Sequence, residues 1–280
     1  MRKISSEKIT QAVKEMCIKA NCYIDPAIKA ALKNALETEK SDVGKNVLKN
    51  LLENAEIAGK KEIPICQDTG MAVFFIEVGQ EVYIEGDNLS VAVEKGVKAG
   101  YTDGYLRKSV VEDPLNRVNT KDNTPPVIHY TFTDGDKLKI TFAPKGFGSE
   151  NKSALKMLNP SDGVNGVIDF VTETVKKAGA NPCPPMVVGV GIGGTFEKAA
   201  QLAKLALTRD IDTANENPYY ADLEKLLLEK INKLGIGPQG FGGTTTALGV
   251  NVEYFPTHIA GLPVAVNINC HATRHETVII

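Results

Sequence analysis

Apolar side chains recur at helical spacing through roughly the first sixty residues of the chain. Asp25-Pro26 places a capping side chain next to a first-turn proline, which favours a helix start, and Ser41 can cap a further helix. The stretch MRKISSEKITQAVKEM is typical of an amphipathic helix rather than a signal peptide. We therefore predict a helical layer that extends from the N-terminus to about Gly59.

The pattern changes after Met71 to segments rich in β-branched and aromatic residues. AVFFIEVG and EVYIEG lie on either side of a turn signal at Gly79, and they predict one hairpin. VIHYTFT and KLKITFA lie on either side of Asp134-Gly135-Asp136, and they predict a second hairpin.

Helices and strands alternate in the second half of the chain. Apolar periodicity predicts helices near residues 164–179, 195–209 and 219–234, a strand at 186–192, and two final strands in TTALGVNVEY and PVAVNIN. The predicted fold is α/β mixed (α+β), with a helical N-terminal layer packed on mixed β-sheets and Gly-rich loops between strands and helices. We find no repeat or linker, so residues 1–280 are predicted to form a single domain.

The last residues, Val278-Ile279-Ile280, are apolar and strand-like, which is unusual for an exposed terminus. They suggest a partner surface near Ile280.

Charge and composition narrow the classes of function. The chain has 34 acidic and 32 basic residues, a net charge of -2 and no Trp, which is against a nucleic-acid or anionic-lipid surface. No apolar stretch is long enough to span a membrane. These observations favour a cytoplasmic protein with a small-molecule partner.

Five cysteines without a secretory signal make a disulfide framework improbable. Cys17 and Cys22 lie five residues apart on one predicted helix, on different faces, and are interpreted as packing residues. Cys66, Cys183 and Cys270 each lie where a strand meets a loop. By spacing alone, burial as small apolar residues is the favoured interpretation and metal ligation the alternative.

Polar side chains surround these three cysteines. Gln67 and Asp68 follow Cys66, and a carboxylate beside a metal-bound ligand is a natural proton carrier, although Asp-Thr-Gly is also typical of an Asx turn. His271 and His275 could bind zinc with Cys270, but the sequence offers no second pair of ligands at a suitable spacing.

Three glycine-rich loops are candidates for close backbone approach or anion binding. KGFGSENKS could present main-chain N–H groups to a carboxylate, or it could be an ordinary loop. Gly189–Gly194 matches G-x-G-x-x-G, but no strand ends in an acidic residue about 20 positions later, so a dinucleotide site is disfavoured. We instead expect close helix–strand packing there, or an anion at the helix start near Thr195. GIGPQGFGGTTTALGV implies backbone close to a cluster, a ligand or another backbone.

Several long strings, taken together, resemble the class I fumarases and the α subunits of L-tartrate dehydratases over nearly the whole chain. They are ICQDTG, KGFGSENKS, NPCPPMVVGVGIGGTFEKAAQLAKLAL, GIGPQGFGGTTTALGV and PTHIAGLPVAVNINCHATRH. The resemblance implies a 4Fe-4S cluster held by three thiolates, Cys66, Cys183 and Cys270, with one iron open to act as a Lewis acid on the substrate.

The resemblance also assigns substrate contacts. It places Gln67 and Asp68 beside the substrate, with Asp68 as the proton donor to the leaving hydroxyl, and Arg107 in YLRKS on a substrate carboxylate. It makes His258 in PTHIAGLP a site histidine and Gly148 a main-chain donor, although KGFGSENK replaces a common run of three glycines and leaves the exact glycine open. Without the resemblance, Arg107 would be interpreted as a surface residue and His258 as a packed loop residue.

The resemblance implies reversible hydration of fumarate to L-malate, with dehydration of L(+)-tartrate to oxaloacetate as the close alternative. A non-catalytic structural metal-binding protein is the distant alternative. Single-chain relatives continue into a second domain that supplies the catalytic base, whereas this chain stops before it. The implied partner is therefore a β subunit that carries the remaining catalytic residues.

Overall fold

The computed structural model describes all 280 residues, and they divide into two compact units. Unit 1 comprises Met1–Ile24, Ala55–Phe147 and Arg274–Ile280, and unit 2 comprises Asp25–Asn54 and Gly148–Thr273. The single cluster-binding domain predicted over residues 1–280 stays a prediction.

The chain forms helices together with mixed sheets, which confirms the predicted fold class. The α-helices are α1 Ser6–Cys22, α2 Pro26–Thr38, α3 Asp42–Lys61, α4 Leu89–Asp103, α5 Phe147–Glu150, α6 Gly163–Ala178, α7 Phe196–Ala206 and α8 Pro218–Asn232. The strands are β1 Arg2–Ser5, β2 Met71–Gly79, β3 Val82–Glu85, β4 Val127–Thr133, β5 Leu138–Lys145, β6 Ala154–Leu158, β7 Met186–Gly193, β8 Ala247–Phe255, β9 Leu262–Asn269 and β10 Glu276–Ile279. No helix is both long and apolar enough to cross a bilayer.

Two predicted helix starts are confirmed by their caps. Asp25 Oδ1 accepts the N–H groups of Ala27 and Ile28 at 2.8 and 3.2 Å, and Ser41 Oγ accepts that of Gly44 at 3.1 Å. The sequence did not reveal β1, which pairs in parallel with β3 ahead of the first helix.

Both predicted hairpins are wrong. In unit 1 the four-stranded sheet has the order β10-β5-β2-β4, so β2 separates β4 from β5, and β3 pairs with β1 in another sheet. Turn signals mark where the chain reverses, but they do not select the strand that pairs. The almost continuous burial of β2 is typical of a central strand, and its Phe74 ring lies 5.0 Å from that of Phe142 on β5.

The apolar C-terminal residue belongs to the core of unit 1. Ile280 is 5% exposed, and its main chain exchanges two hydrogen bonds with Leu138 beside the β10–β5 ladder. Arg2 Nη1 also donates to the Ile280 carbonyl oxygen at 3.2 Å. Burial in its own unit therefore explains the apolar Ile280, while the partner surface suggested near it stays a prediction.

Unit 2 has a three-layer arrangement around the sheet β6-β9-β7-β8. Val188 and Val190 of β7 pack in one apolar cluster with α6 and α8, whereas Gly189 and Gly191 face α7. A Cβ atom on either glycine would come within 2.1 Å of a main-chain oxygen of α7. The glycines therefore allow close helix–strand packing, as predicted, and this explains the G-x-G-x-x-G string without a nucleotide.

Candidate active site

The five cysteines fall into two groups by burial, and all are thiols rather than disulfides. Cys17 and Cys22 are buried in α1, which confirms that they are packing residues. Burial raises the pKa of both thiols, and at Cys22 the nearby Glu62 raises it further while Arg274 opposes the shift. Cys66 and Cys270 are half-buried and Cys183 is exposed, so these three are the accessible thiols.

Cys66 lies in unit 1, in the loop between α3 and β2. Its Sγ lies 3.4 Å from Gln67 Oε1 and accepts the main-chain N–H of Asp68, also at 3.4 Å. A main-chain N–H aimed at a cysteine sulfur stabilises negative charge on that sulfur, as is usual at thiolate ligands. The exposed Gln67 side chain and the half-buried Asp68 are thus adjacent to the thiol.

Three hydrogen bonds fix the position of Asp68. Its Oδ1 accepts the Gly70 N–H at 3.0 Å, its Oδ2 accepts the Phe147 N–H at 2.9 Å, and its carbonyl accepts Arg274 Nη2 at 2.6 Å. The Asx turn considered from the sequence is therefore present, and it orients the carboxylate. The Phe147 N–H thus connects the KGFGSENKS loop to the Asp68 carboxylate.

Residues that the sequence did not single out hold the same loop. Tyr101 on α4 donates its hydroxyl to the carbonyls of Thr69 and Gly70 at 2.8 and 3.1 Å, and Asn123 Nδ2 donates to Gly70 at 3.1 Å. Gly70 itself has φ +76°, and a Cβ there would meet the Lys145 main chain at 2.8 Å. Tyr101 was missed because a buried tyrosine on a helix fits the apolar pattern of the core.

Arg107 lies just after α4, and its side chain is exposed. Its carbonyl oxygen accepts the Thr69 hydroxyl at 3.1 Å, so the segment that carries this guanidinium is bonded to the Asp68 loop within unit 1. A solvent-facing guanidinium can form a bidentate pair with a carboxylate.

Cys183 and Cys270 lie close together at one end of the two central strands of the unit 2 sheet, β7 and β9. Val187 on β7 pairs with Asn269 on β9, so the residues before β7 and those after β9 are neighbours. The main-chain N–H of His271 donates to the Cys183 carbonyl at 3.3 Å. Two of the three predicted ligands are thus on directly hydrogen-bonded segments.

His258 lies beyond the opposite end of the strands of the same sheet. It follows the end of β8, which is parallel to β7, whereas Cys183 precedes β7. At about 3.3 Å per residue, the two ends of β7 are roughly 25 Å apart. Its Nδ1 accepts the Ala260 N–H at 3.1 Å, and the residue is exposed. Unit 2 of one chain therefore does not bring His258 to the two cysteines.

Gly148 lies in the single turn α5 at the start of unit 2, and a Cβ there would have no atom within 4 Å. The third glycine-rich loop is closely packed, because Gly237 has φ +69° and a Cβ on it would come within 2.1 Å of the Gly242 main chain. The approach to another backbone, one of the three partners considered for that loop, is therefore present.

The GIGPQGFGGTTT loop is held by Glu39, which the sequence did not single out. The Glu39 carboxylate accepts the N–H groups of Thr244 and Thr245, each at 2.8 Å, and those of Lys40 and Ser41 at 2.8 and 2.9 Å. Burial alone would raise the pKa of Glu39, but these hydrogen bonds outweigh burial and lower it to about 2.

Comparison with known proteins identifies the family. The family model described as Fumarate hydratase (Fumerase) matches residues 10–279. A Methanocaldococcus jannaschii protein provisionally named L(+)-tartrate dehydratase subunit alpha is 44% identical over 273 residues, covering 95% of each chain. Proteins of Escherichia coli and Shigella sonnei named L(+)-tartrate dehydratase subunit alpha are each 34% identical over 277 residues, covering 98% of this chain and 91% of theirs. The resemblance stated from the sequence is confirmed, and the chain belongs to the fumarate hydratase (Fumerase) family of hydro-lyases.

Proposed function

We propose that this chain is the cluster-bearing α subunit of a hydro-lyase that converts L(+)-tartrate to oxaloacetate. The observation that carries the choice of substrate is the near full-length similarity to proteins named L(+)-tartrate dehydratase subunit alpha. Hydration of fumarate to L-malate is the second candidate, because the matching family model is described as fumarate hydratase. Both reactions remove or add water at a small dicarboxylate.

The cofactor in this proposal is a 4Fe-4S cluster ligated by Cys66, Cys183 and Cys270. These three cysteines are the accessible ones, and the N–H of Asp68 already points at the Cys66 sulfur, so the donors suit a soft, thiolate-bound iron. When bound, a cluster with three protein thiolates supplies an open iron that polarises the substrate hydroxyl.

The residues of the chain supply the proton and the orientation. Asp68 has one main-chain donor on each carboxylate oxygen, which fixes its direction and leaves a second lone pair on each oxygen for a proton. In the proposal it protonates the departing hydroxyl, while Gln67 bonds the substrate beside it. Arg107 and the Gly148 N–H would bind substrate carboxylates, and the role of His258 rests on the resemblance alone.

A β subunit completes the proposal. The relatives are named as alpha subunits, which supports a separate partner that carries the remaining catalytic residues, including the base. We expect the α chain alone to take up the cluster and to turn over poorly until the β subunit is added.

The test is anaerobic reconstitution of the α chain with iron and sulfide, followed by addition of a candidate β subunit. We expect oxaloacetate formation from L(+)-tartrate with a higher kcat/KM than fumarate formation from L-malate. A higher value with malate would overturn the tartrate assignment in favour of the second candidate. A fully reconstituted pair that is inactive on both substrates would overturn the dicarboxylate assignment.

The ligands are tested by single Cys→Ser changes at positions 66, 183 and 270, with Cys17→Ala and Cys22→Ala as controls. We expect iron and sulfide content to fall in the first three variants and to stay at the wild-type level in the two controls. Full cluster content in any of the first three would remove that residue from the ligand set.

A further inference from the structure

Cys183 has an unusual main-chain conformation. Its φ is +54°, in the left-handed region that side chains rarely adopt. A non-glycine residue stays in that region only when its surroundings hold it there. The Cys183 N–H donates to the Ala180 carbonyl at 3.0 Å, and this bond restrains the main chain on the N-terminal side of Cys183.

Gln239 restrains the main chain on the C-terminal side of Cys183. Its main-chain N–H and its side-chain Nε2 both donate to the Pro184 carbonyl, at 2.7 and 2.8 Å. The same Nε2 lies 3.1 Å from His271 Nδ1. The Gln239 side chain therefore joins Pro184, which follows Cys183, to His271, which follows Cys270.

His271 contacts the Cys183 segment directly. Its main-chain N–H donates to the Cys183 carbonyl at 3.3 Å, and its Nδ1 lies 3.1 Å from the same oxygen. In one tautomer Nδ1 carries the proton and donates to Cys183, and in the other it accepts from Gln239. The first tautomer thus bonds the imidazole directly to the Cys183 carbonyl, and the second connects it through the Gln239 side chain to the Pro184 carbonyl.

Gln239 is itself held firmly. It has φ +51°, and its loop is closed by the contact of Gly237 with the Gly242 main chain. The far side of the loop is anchored at Thr244 and Thr245 by the carboxylate of Glu39. The amide that binds Pro184 thus projects from a restrained loop rather than a mobile one.

We propose that Gln239 and His271 are positioning residues that hold Cys183 in its left-handed conformation and so pre-orient its thiol as a metal ligand. The purpose of this arrangement rests on the proposed function, whereas the arrangement itself does not. A ligand that is oriented before the metal arrives loses less conformational freedom on binding, and it retains the metal for longer.

The first test uses the metal-free chain and hydrogen exchange followed by mass spectrometry. We expect Gln239→Ala and His271→Ala to speed amide exchange in the peptide that contains Cys183 roughly tenfold, since each variant removes a hydrogen bond from this segment. His271→Asn should exchange like the wild type, because an asparagine amide can donate or accept at the position of Nδ1. Gln201→Ala on α7 is the matched control, and exchange in β8 reports whether unit 2 is folded.

The second test measures iron release from the reconstituted chain to a chelator. We expect faster release and an altered cluster spectrum in Gln239→Ala and His271→Ala, with wild-type values in His271→Asn. Unchanged exchange in both alanine variants would overturn the proposal, and so would faster exchange with unchanged iron release. If the wild-type chain takes up no cluster, the proposed function fails and the ligand role fails with it, while the exchange data still decide whether these residues hold Cys183.

Discussion

The main-chain N–H of Phe147 donates to Asp68 Oδ2 over 2.9 Å, which ties the turn after β5 to the loop that carries Cys66. The Gly70 N–H occupies the other carboxylate oxygen at 3.0 Å. The carboxylate of Asp68 is therefore held in a fixed direction from two separate segments of unit 1. This arrangement suits a residue that must present a proton at one point.

Replacement of Asp68 by Asn should abolish most of the hydro-lyase activity while leaving the cluster in place. The amide keeps the size of the side chain and one acceptor oxygen, but it has no exchangeable carboxyl proton. We expect kcat to fall about a hundredfold or more, the usual contribution of a general acid. The measurement is anaerobic turnover together with iron content, and Asp222→Asn, an exposed position on α8, is the control. Near wild-type kcat in Asp68→Asn would show that another group donates the proton.

Arg274 should affect turnover through Asp68. It is 5% exposed, its Nη2 donates to the Asp68 carbonyl, and its Nε and Nη1 are buried without a hydrogen-bond acceptor. We expect Arg274→Ala to lower kcat by about tenfold with little change in KM, since it removes a support of the acid rather than a substrate contact. Arg274→Lys should recover part of the loss, and the exposed Arg117→Ala should have no effect. A change confined to KM would point instead to direct substrate binding by Arg274.

Glu39 should make the stability of the fold depend on pH in the acid range. Its pKa is about 2 in the folded chain against an ordinary value of 4.5, so its stabilisation is complete above pH 4.5 and is lost as the pH falls towards 2. This difference corresponds to about 3 kcal/mol of free energy of unfolding. Denaturant unfolding of wild type and Glu39→Gln should therefore differ most near neutral pH and converge near pH 2. The exposed Glu37→Gln is the control, and a pH-independent difference would contradict the assignment.

Gly191 should not tolerate even one methyl group. A Cβ there would lie 2.1 Å from the Ala199 carbonyl oxygen, so α7 would have to move away from β7. We expect Gly191→Ala to lower the free energy of unfolding by about 3 kcal/mol, as overpacking does in a closely packed core. Gly148→Ala is the matched control for stability, because nothing lies within 4 Å of its Cβ position. Equal stability of the two variants would mean that α7 can shift freely.

The sequence indicated helix starts, the mixed fold class and the family correctly. Helix starts and fold class depend on local signals, and the family is indicated by long stretches of characteristic sequence. Asp25 and Ser41 cap helices as expected, since a cap acts within three residues of its own position. Strand pairing depends on distant segments, so nothing near Gly79 could reveal that β2 lies between β4 and β5.

The relative placement of the candidate site residues could be predicted only in part, for the same reason. Cys66, Gln67 and Asp68 are consecutive in the sequence, and the β7–β9 register places the segments of Cys183 and Cys270 side by side. The distance of His258 from the two unit 2 cysteines follows from the direction of β8, which no motif encodes. Gln239 and Glu39 act through amide and carboxylate hydrogen bonds across the fold, and such partners leave no periodic pattern in a single sequence.

The last strand of unit 1 has a consequence for synthesis of the chain. β10 completes the edge of the sheet next to β5, yet it follows the whole of unit 2 along the sequence. During translation the ribosome must therefore produce all of unit 2 before unit 1 can close its sheet and bury Ile280. Until then the edge of β5 is exposed as an unpaired strand, the kind of surface that chaperones protect from aggregation.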